Sequence, residues 1–214
     1  MASSDQEKRA AAQAAAALVT DGQLVGLGTG STVAYLLPAL AARGLAIRCV
    51  ATSPSTAHIA QGLGLDVEPF TGIERLDISI DGADQIDDEG WLIKGGGGAH
   101  TREKIVAAAT ERFVVIASSE KAVATIGPPV PLELLRFGLD ATIAGLGPVR
   151  LRDVPASPDD GVIADYFAAF SDREELAERL DSAPGVIGHG IFRPSLTADV
   201  LIATAGRVEH RVRH

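Results

Sequence analysis

Lys94 and Glu103 are the residues of this sequence whose types and spacing best suit acid–base chemistry on a small molecule. Lys94 precedes four consecutive glycines at residues 95–98, and Glu103 lies in the first turn of the helix predicted after them. A lysine can stabilise the oxyanion formed when a carbonyl compound loses its α-proton, and a carboxylate can remove that proton. The pair therefore indicates carbonyl–enediolate chemistry. A flexible loop before a helix with a favourable acidic first turn is the alternative.

A second pair of acidic residues, Asp81 and Asp84, lies at the end of the strand predicted at 76–80. Gly82 and Ala83 separate them, so the pair lies in a turn where two carboxylates can bind sugar hydroxyls or transfer protons. The pair could also bind a metal, but no histidine lies nearby in the sequence and the number of ligands is poor. A solvated acidic turn is the alternative.

A third segment, Gly28-Thr29-Gly30-Ser31-Thr32, joins a predicted strand to a predicted helix. Glycines let the backbone approach an anion closely, the helix start offers N–H groups, and the hydroxyls add donors. A phosphate monoester is the natural ligand, because the segment matches neither the G-x-G-x-x-G dinucleotide pattern nor a P-loop. A tight turn with capping hydroxyls and no ligand is the alternative.

The predicted elements place each of these segments directly after a strand. Strands are predicted at 24–27, 46–52, 65–67, 76–80, 91–94 and 113–117, and helices at about 4–19, 32–43, 54–62 and 101–110, the first opened by a capping box at Ser4. This pattern predicts a doubly wound parallel sheet, which binds ligands at the carboxyl ends of its strands. Lys121 follows the last of these strands and would lie at the same edge.

The sequence changes character near residue 127. Residues 128–197 hold fewer regular units, among them a predicted helix at 172–182 and a predicted strand at 186–192. We therefore predict a Rossmann-like domain formed by residues 1–127 and 198–214, and a smaller α+β domain formed by residues 128–197. We expect the apolar strand at 199–204 to return to the large sheet, and residues 207–214 to form a frayed end or an edge.

Composition narrows the function classes. The 214 residues carry a net charge of −9 without a Lys/Arg run, so neither nucleic acid nor a membrane is an expected partner. Cys49 is the single cysteine and lies in an apolar run, which excludes a disulfide framework and predicts a small buried residue. The remaining histidines outside the glycine segment show no metal-ligand spacing: His58, His189, His210 and His214. The N-terminal segment lacks the order of a signal peptide, so a cytoplasmic location is expected.

Together, in this order, these segments resemble the type A ribose-5-phosphate isomerase family. The matching residues are 26–32, 81–84, 94–97, 101–104 and Lys121. The resemblance implies an α/β fold, with a Rossmann-like, mostly parallel sheet domain and a smaller α+β, ferredoxin-like domain. It also implies an isomerase that interconverts D-ribose 5-phosphate and D-ribulose 5-phosphate in the non-oxidative pentose phosphate pathway. Such an enzyme needs no metal or cofactor and forms a homodimer or homotetramer.

The resemblance also implies roles for individual residues. Glu103 looks like the general base that moves a proton between C1 and C2 of the sugar, and Lys94 like the electrophile that stabilises the enediolate oxygen. Asp81 and Asp84 look like ligands of sugar hydroxyls, and Asp81 is a candidate for assisting ring opening. The rest of the expected substrate site comprises Thr29, Gly30, Ser31, Thr32, Gly82, Ala83, Gly95, Gly96, Gly97 and Lys121.

Other readings of the same residues remain open at this point. An isomerase of a different phosphorylated sugar would keep Lys94 and Glu103 but change the groups that bind the middle hydroxyls. A non-catalytic sugar-phosphate sensor and an acyl- or CoA-transferring relative are further alternatives. The sequence also departs from the family at Gln85, where an acidic residue is usual, and at His100, where leucine is more usual.

Overall fold

The structure, a computed structural model, describes residues 3–212, and within them it contains fourteen strands and six α-helices. The strands are β1 (Leu24–Leu27), β2 (Arg48–Ala51), β3 (Asp66–Val67), β4 (Leu76–Gly82), β5 (Gln85–Ile86), β6 (Leu92–Ile93), β7 (Thr110–Ser118), β8 (Val130–Leu134), β9 (Val149–Leu151), β10 (Val162–Tyr166), β11 (Val186–His189), β12 (Ile191–Phe192), β13 (Asp199–Thr204) and β14 (Arg207–Val212). The helices are α1 (Ser4–Ala16), α2 (Val33–Ala41), α3 (Pro54–Gly62), α4 (His100–Ala108), α5 (Leu139–Leu146) and α6 (Arg173–Ser182).

The chain divides into two compact units. The first, called here the parallel-sheet unit, holds the described residues up to Ala83 together with Arg102–Ala122 and the residues from Ser195 onward. The second, the α+β unit, holds Asp84–Thr101 and Val123–Pro194. The mixed α/β architecture with a large, mostly parallel sheet confirms the predicted fold class.

The sheet of the parallel-sheet unit has the strand order β14-β13-β7-β4-β1-β2-β3 and is parallel except at the β13–β14 edge. From β1 the chain proceeds outward to β2 and β3, and then returns to the other side of β1 with β4. The order of the strands therefore reverses between β1 and β4. Loops after the two strands diverge there and leave a crevice, which is where doubly wound sheets bind their ligands.

Small aliphatic side chains cover both faces of this sheet, as a parallel sheet requires. On one face Leu27 and Ile80 belong to a buried cluster that also contains Leu36 and Leu40 of α2 and the buried alanines of α1. On the other face a smaller cluster includes Val106 of α4. Each fully buried leucine or isoleucine contributes about 1.5–3 kcal/mol of transfer free energy, so this burial holds the strand ends in place.

Several local predictions hold in this unit, and one is wrong by a residue. The strand at 199–204 returns to the large sheet as β13, parallel to β7, and β14 is an edge strand, which confirms both expectations within the described residues. Cys49 is buried, and burial, aided by Asp66, raises the pKa of its thiol to about 12. The capping residue of α1 is Ser3 rather than Ser4, because the Gln6 side chain returns to the Ser3 N–H at 2.9 Å.

The α+β unit contains a four-stranded antiparallel sheet in the order β11-β8-β10-β9. Along the chain its elements run β8-α5-β9-β10-α6-β11, which is the ferredoxin-like βαββαβ arrangement. Leu132 and Leu134 of β8 pack with Leu176 and Leu180 of α6 in its core. A separate three-stranded antiparallel sheet, in the order β12-β6-β5, belongs to the same unit.

The division predicted from the sequence differs from the observed units at its edges, because the α+β unit also includes residues 123–127 and ends at Pro194 rather than at residue 197. The division also differs in one larger segment. It assigns residues 84–101 to the large sheet, whereas β5 and β6 form an antiparallel hairpin within the α+β unit. The reason is the pairing of β6 with β12, which lies far along the chain and leaves no local signal. Gln85 stabilises this hairpin, since its amide donates to Gly127 O at 3.0 Å and accepts from Gly127 N–H at 2.8 Å. A carboxylate could only accept.

No helix within residues 3–212 has the length and apolar character needed to cross a membrane.

A buried carboxylate attaches the edge strand to the parallel sheet. Asp199 of β13 accepts two hydrogen bonds from the Arg112 guanidinium, at 2.6 and 3.1 Å, and contacts the imidazole of His210 on β14. Burial acts to raise the pKa of Asp199, but the hydrogen bonds from Arg112 and His210 outweigh it and lower the pKa below the ordinary value of 3.8. The ionised form is therefore favoured in the folded state.

Asp199→Asn should lower the free energy of unfolding by about 1–3 kcal/mol at pH 7, because Arg112, whose side chain is partly exposed, loses its ionised partner and regains only part of that interaction from water. The stability that this lowered pKa provides is fully present above the pKa of Asp199 in the unfolded state. It is lost as the pH falls through the pKa of Asp199 in the folded state. The gap between variant and wild type should therefore close below the ordinary value of 3.8. Chemical denaturation at several pH values measures this. Asp160→Asn, at the exposed Arg136–Asp160 pair, is the control and should change stability by less than about 1 kcal/mol. A stability difference between the variant and wild type that does not change with pH would contradict the ionised pairing of Asp199.

Candidate active site

Asp81 lies at the carboxyl end of β4 and is buried. Its Oδ1 accepts the backbone N–H of Thr29 at 3.0 Å and that of Gly82 at 2.7 Å. Gly28 permits this approach, because a Cβ at Gly28 would lie 2.0 Å from the Asp81 carboxyl group. Two backbone donors to one oxygen fix the orientation of the carboxylate. The loops after β1 and β4 thus meet at the point where the strand order reverses.

Hydroxyl groups collect at the same edge of the sheet. Thr29 Oγ1 lies 2.8 Å from Thr52 Oγ1, and Thr56 Oγ1 donates to Gly28 O at 3.0 Å. Sequence reasoning predicted Thr29 but missed Thr52 and Thr56 as site residues. The available signal was the polar segment that begins at Thr52, directly after β2, because the carboxyl ends of adjacent parallel strands share one edge.

The remaining residues of the predicted hydroxyl loop differ in exposure. Gly30 has a φ of +125°, which side-chain-bearing residues rarely adopt, and Ser31 is exposed. Thr32 is buried at the N-cap of α2 but makes no side-chain capping bond there. The N–H groups of the first turn of α2 therefore lie beside a loop rich in hydroxyls, a combination that suits a phosphate group.

Glu103 and Lys121 also belong to the parallel-sheet unit. Glu103 is buried in the first turn of α4, where the helix dipole favours a negative charge. Lys121 is partly buried and ends a 3₁₀ turn after β7. Glu7 anchors that turn, since its Oε2 accepts the Ser119 N–H at 2.9 Å and the Ser119 hydroxyl at 2.8 Å.

Lys94 is a fully buried lysine in the α+β unit. It follows β6, and its backbone N–H donates to Gly190 O at 2.9 Å. Its ammonium lies 5.4 Å from the ring centre of Phe192 on β12, within the range of a cation–π contact. Lysine is almost never fully buried, so Lys94 is a candidate functional residue on physical grounds.

The four glycines at residues 95–98, called here the glycine loop, follow Lys94. Gly95 has a φ of +103°, and a Cβ there would lie 2.7 Å from the His100 imidazole, which is buried. Gly96 donates its N–H to Asp84 Oδ2 at 2.7 Å. Asp84, which sequence reasoning assigned to sugar hydroxyls, therefore binds the loop backbone through this oxygen. The buried ring of His100 occupies the space that a side chain at Gly95 would need.

The predicted site residues fall into two groups, one in each unit. Asp81, Glu103, Lys121 and the loop at residues 28–32 belong to the parallel-sheet unit, together with Gly82 and Ala83. Asp84, Lys94 and Gly95–Gly97 belong to the α+β unit. The chain passes from one unit to the other between Ala83 and Asp84 and returns between Thr101 and Arg102. Within residues 3–212 no group of three or more His, Cys, Asp or Glu residues could hold a metal ion.

Comparison with known proteins gives a consistent result. The family model for ribose 5-phosphate isomerase A (phosphoriboisomerase A) matches residues 48–207 of this chain. The ribose-5-phosphate isomerase A of Methanosarcina acetivorans is 45% identical over 201 residues, covering 87% of this chain and 86% of that protein.

Solved structures agree with the sequence match. Ribose 5-phosphate isomerase A from Neisseria gonorrhoeae is similar with a TM-score of 0.95 and 30% identity, over 99% of this chain and 98% of that chain. A D-ribose-5-phosphate isomerase in complex with phospho-erythronic acid is similar with a TM-score of 0.93 and 29% identity, over 99% of this chain and 100% of that chain.

Gly28→Ala should lower the free energy of unfolding by about 1–3 kcal/mol, because the new methyl group must displace the Asp81 carboxylate or the β1 backbone. Gly62→Ala is the matched control: Gly62 ends α3, and a Cβ there meets nothing within 4 Å. The control should be neutral or stabilising by up to about 1 kcal/mol. Urea denaturation of both variants checks this, and equal stability of the two would show that the close approach to Asp81 is not constraining.

Proposed function

The chain belongs to the ribose 5-phosphate isomerase A family, and from this premise we propose that it interconverts D-ribose 5-phosphate and D-ribulose 5-phosphate through an enediolate. The observation that carries the mechanism is the burial of Lys94 and Glu103, which precede and follow the glycine loop. Burial of an ammonium and a carboxylate costs several kcal/mol each, a cost that a fold retains where the charges do chemistry.

The proton transfer is assigned to Glu103. Its carboxylate removes the proton from C2 of the open-chain aldose, and the electrons of that bond form the enediolate, whose charge rests on the C1 oxygen. Glu103 then returns the proton to C1, while the C2 hydroxyl proton moves to the C1 oxygen and leaves the C2 carbonyl of the ketose. A positioned base of this kind contributes about 10²–10⁴-fold to the rate.

Lys94 is assigned to the enediolate oxygen. Its ammonium is held in a buried position over Phe192, so little reorganisation is required when negative charge develops on the substrate. Removing one preorganised donor of this type typically lowers kcat by about 10²–10³-fold. The related isomerase in complex with phospho-erythronic acid supports an enediolate intermediate, because that compound joins a phosphate to a planar acid group, as the enediolate joins a phosphate to planar oxygens.

The carboxylates and the hydroxyl loop are assigned to substrate binding. Asp81 binds sugar hydroxyls and assists ring opening, which its fixed orientation on the Thr29 and Gly82 amides supports. Asp84 binds a sugar hydroxyl while it holds the glycine loop. Residues 28–32 bind the phosphate, supported by the hydroxyls and N–H groups at the start of α2. Lys121 supplies a cation at the same strand edge.

We also assign a cytoplasmic location and a homodimeric or homotetrameric state, in the non-oxidative pentose phosphate pathway. An apolar contact between copies is supported by Phe137, whose side chain is 92% exposed, and by the neighbouring Leu135 after β8. Light scattering of the purified protein would distinguish the assembled states from a monomer.

An assay of ribose 5-phosphate isomerisation on purified protein, with EDTA present, should show turnover, and Glu103→Gln should abolish it. The amide cannot accept the C2 proton but keeps the size of the side chain, so folding and sugar-phosphate binding should persist. Glu111→Gln is the control, because Glu111 is exposed and pairs with Arg75 on the surface. Near-normal turnover in Glu103→Gln would refute the assigned base, and loss of activity with EDTA alone would refute metal independence.

Lys94→Met should lower kcat by about 10²-fold or more with a much smaller change in KM, since an interaction made mainly with the enediolate is lost. Methionine preserves much of the buried volume and its packing against Phe192. Steady-state kinetics in both directions measure the split. A change confined to KM would make Lys94 a ground-state binding group instead.

A further inference from the structure

Arg152 of the α+β unit donates hydrogen bonds to two carbonyl groups of the glycine loop. Its Nη1 lies 2.9 Å from Gly95 O and 3.0 Å from Gly96 O. Arg152 follows β9 and lies 57 residues beyond Gly95 in the chain, in the ferredoxin-like part of the unit. No residue of that part was expected to serve the site.

The guanidinium of Arg152 is itself held in a fixed plane. Asp165 of β10 accepts from Nε at 2.8 Å and from Nη2 at 2.6 Å, in the bidentate geometry that best orients an arginine. Both side chains are mostly buried, at 19% and 16% exposure, so water competes weakly for these bonds. The hydrogen bonds that Arg152 donates to Asp165 raise the pKa of Arg152 against the opposing effect of burial, and the charge of Asp84 acts in the same direction.

The peptide group between Gly95 and Gly96 is bound at both ends. Its carbonyl accepts from Arg152, and its N–H donates to Asp84 at 2.7 Å. Because a trans peptide is planar with its C=O and N–H opposed, these two contacts fix the plane. The carbonyl of Gly96 is bound to Arg152 as well, so the N–H of Gly97 in the next peptide points away from the guanidinium.

Glycines have no side chains, so only backbone contacts can select one conformation for this loop. Each residue ordered costs about 1–2 kcal/mol of backbone entropy, and glycine loses more than any other residue. The loop also begins directly after Lys94, whose position depends on where the following peptide lies.

We propose that Arg152 and Asp165 form a positioning pair that holds the glycine loop, and through it Lys94 and the Gly97 amide, in the conformation that the isomerisation requires. The role assigned to Lys94 rests on the proposed function. Neither Arg152 nor Asp165 touches substrate in this proposal: Asp165 orients Arg152, and Arg152 orients the loop.

Hydrogen–deuterium exchange tests the pair without reference to activity. Arg152→Gln should speed exchange of the amides of residues 95–98 at least about tenfold, while exchange in β8 and β13 stays at the wild-type rate. Arg179→Gln is the matched control, because Arg179 also donates to a backbone carbonyl, that of Leu146 at 2.6 Å, and contacts Tyr166. Unchanged loop exchange in Arg152→Gln, or equal acceleration throughout the unit, would overturn the proposal.

Kinetics then test the consequence for catalysis. Arg152→Gln and Asp165→Asn should each lower kcat by about 10–100-fold with a change in KM below about threefold, because a displacement near 1 Å can cost about 10²-fold. Arg152→Lys keeps the charge but lacks the planar fork that contacts both Asp165 oxygens while it reaches the loop carbonyls, so it should recover less than about a tenth of the lost rate. Full recovery by lysine, or wild-type kcat in Arg152→Gln, would overturn the positioning role.

The exchange and kinetic experiments together distinguish failure of the positioning pair from failure of the proposed function. If wild-type protein fails to isomerise ribose 5-phosphate while Arg152→Gln still frees the glycine loop, the proposed function fails and the positioning pair stands. If wild type is active and the loop is unaffected by Arg152→Gln, the function stands and the pair fails.

Discussion

The close approach of β1 to β4 is the constraint on which the parallel-sheet unit depends. Gly26 has no room for a side chain, since a Cβ there would lie 2.5 Å from Ser79 and 2.8 Å from Val106. At Gly28 the carboxyl group of Asp81 occupies the space that a side chain would need. These two glycines let the strands pair at the point where their order reverses. The Thr29 amide then reaches the Asp81 carboxylate, so the packing of the sheet directly orients a polar group of the site.

The α+β unit contributes mainly backbone groups to the proposed site, so the conformation of that backbone must be fixed by other residues. A loop of glycines offers peptide groups at close range but has no packing of its own. Charged groups with fixed geometry, Arg152 on the carbonyl side and Asp84 on the amide side, supply the missing order. The ferredoxin-like part of the unit holds both members of the proposed positioning pair: Arg152 directly follows β9, and Asp165 lies on β10.

Buried ionisable groups occur in this chain both where they stabilise the fold and at the proposed site. Asp199 is compensated by Arg112 and His210 and attaches an edge strand, so its charge is structural. Asp81, Lys94 and Glu103 are also buried, and they lie in the sequence near the glycine loop and near two of the four places where the chain passes between the units. Burial alone does not distinguish the two classes; position at strand ends and helix starts does.

Local patterns in the sequence were sufficient to predict the parallel sheet, the helix starts to within a few residues, and the types of group at the proposed site. The reason is that loops at strand ends and first helical turns are recognisable over short windows of sequence. These patterns also yielded Glu103, Lys94 and Asp81 as chemically apt residues. Tertiary structure alone decided that β6 pairs with β12 and so moves residues 84–101 into the α+β unit. It alone placed Arg152 on the glycine loop and Thr52 beside Thr29. These contacts join residues that are distant along the chain, and the register of strand pairing that brings them together is set by packing of the whole unit, which no short window of sequence contains.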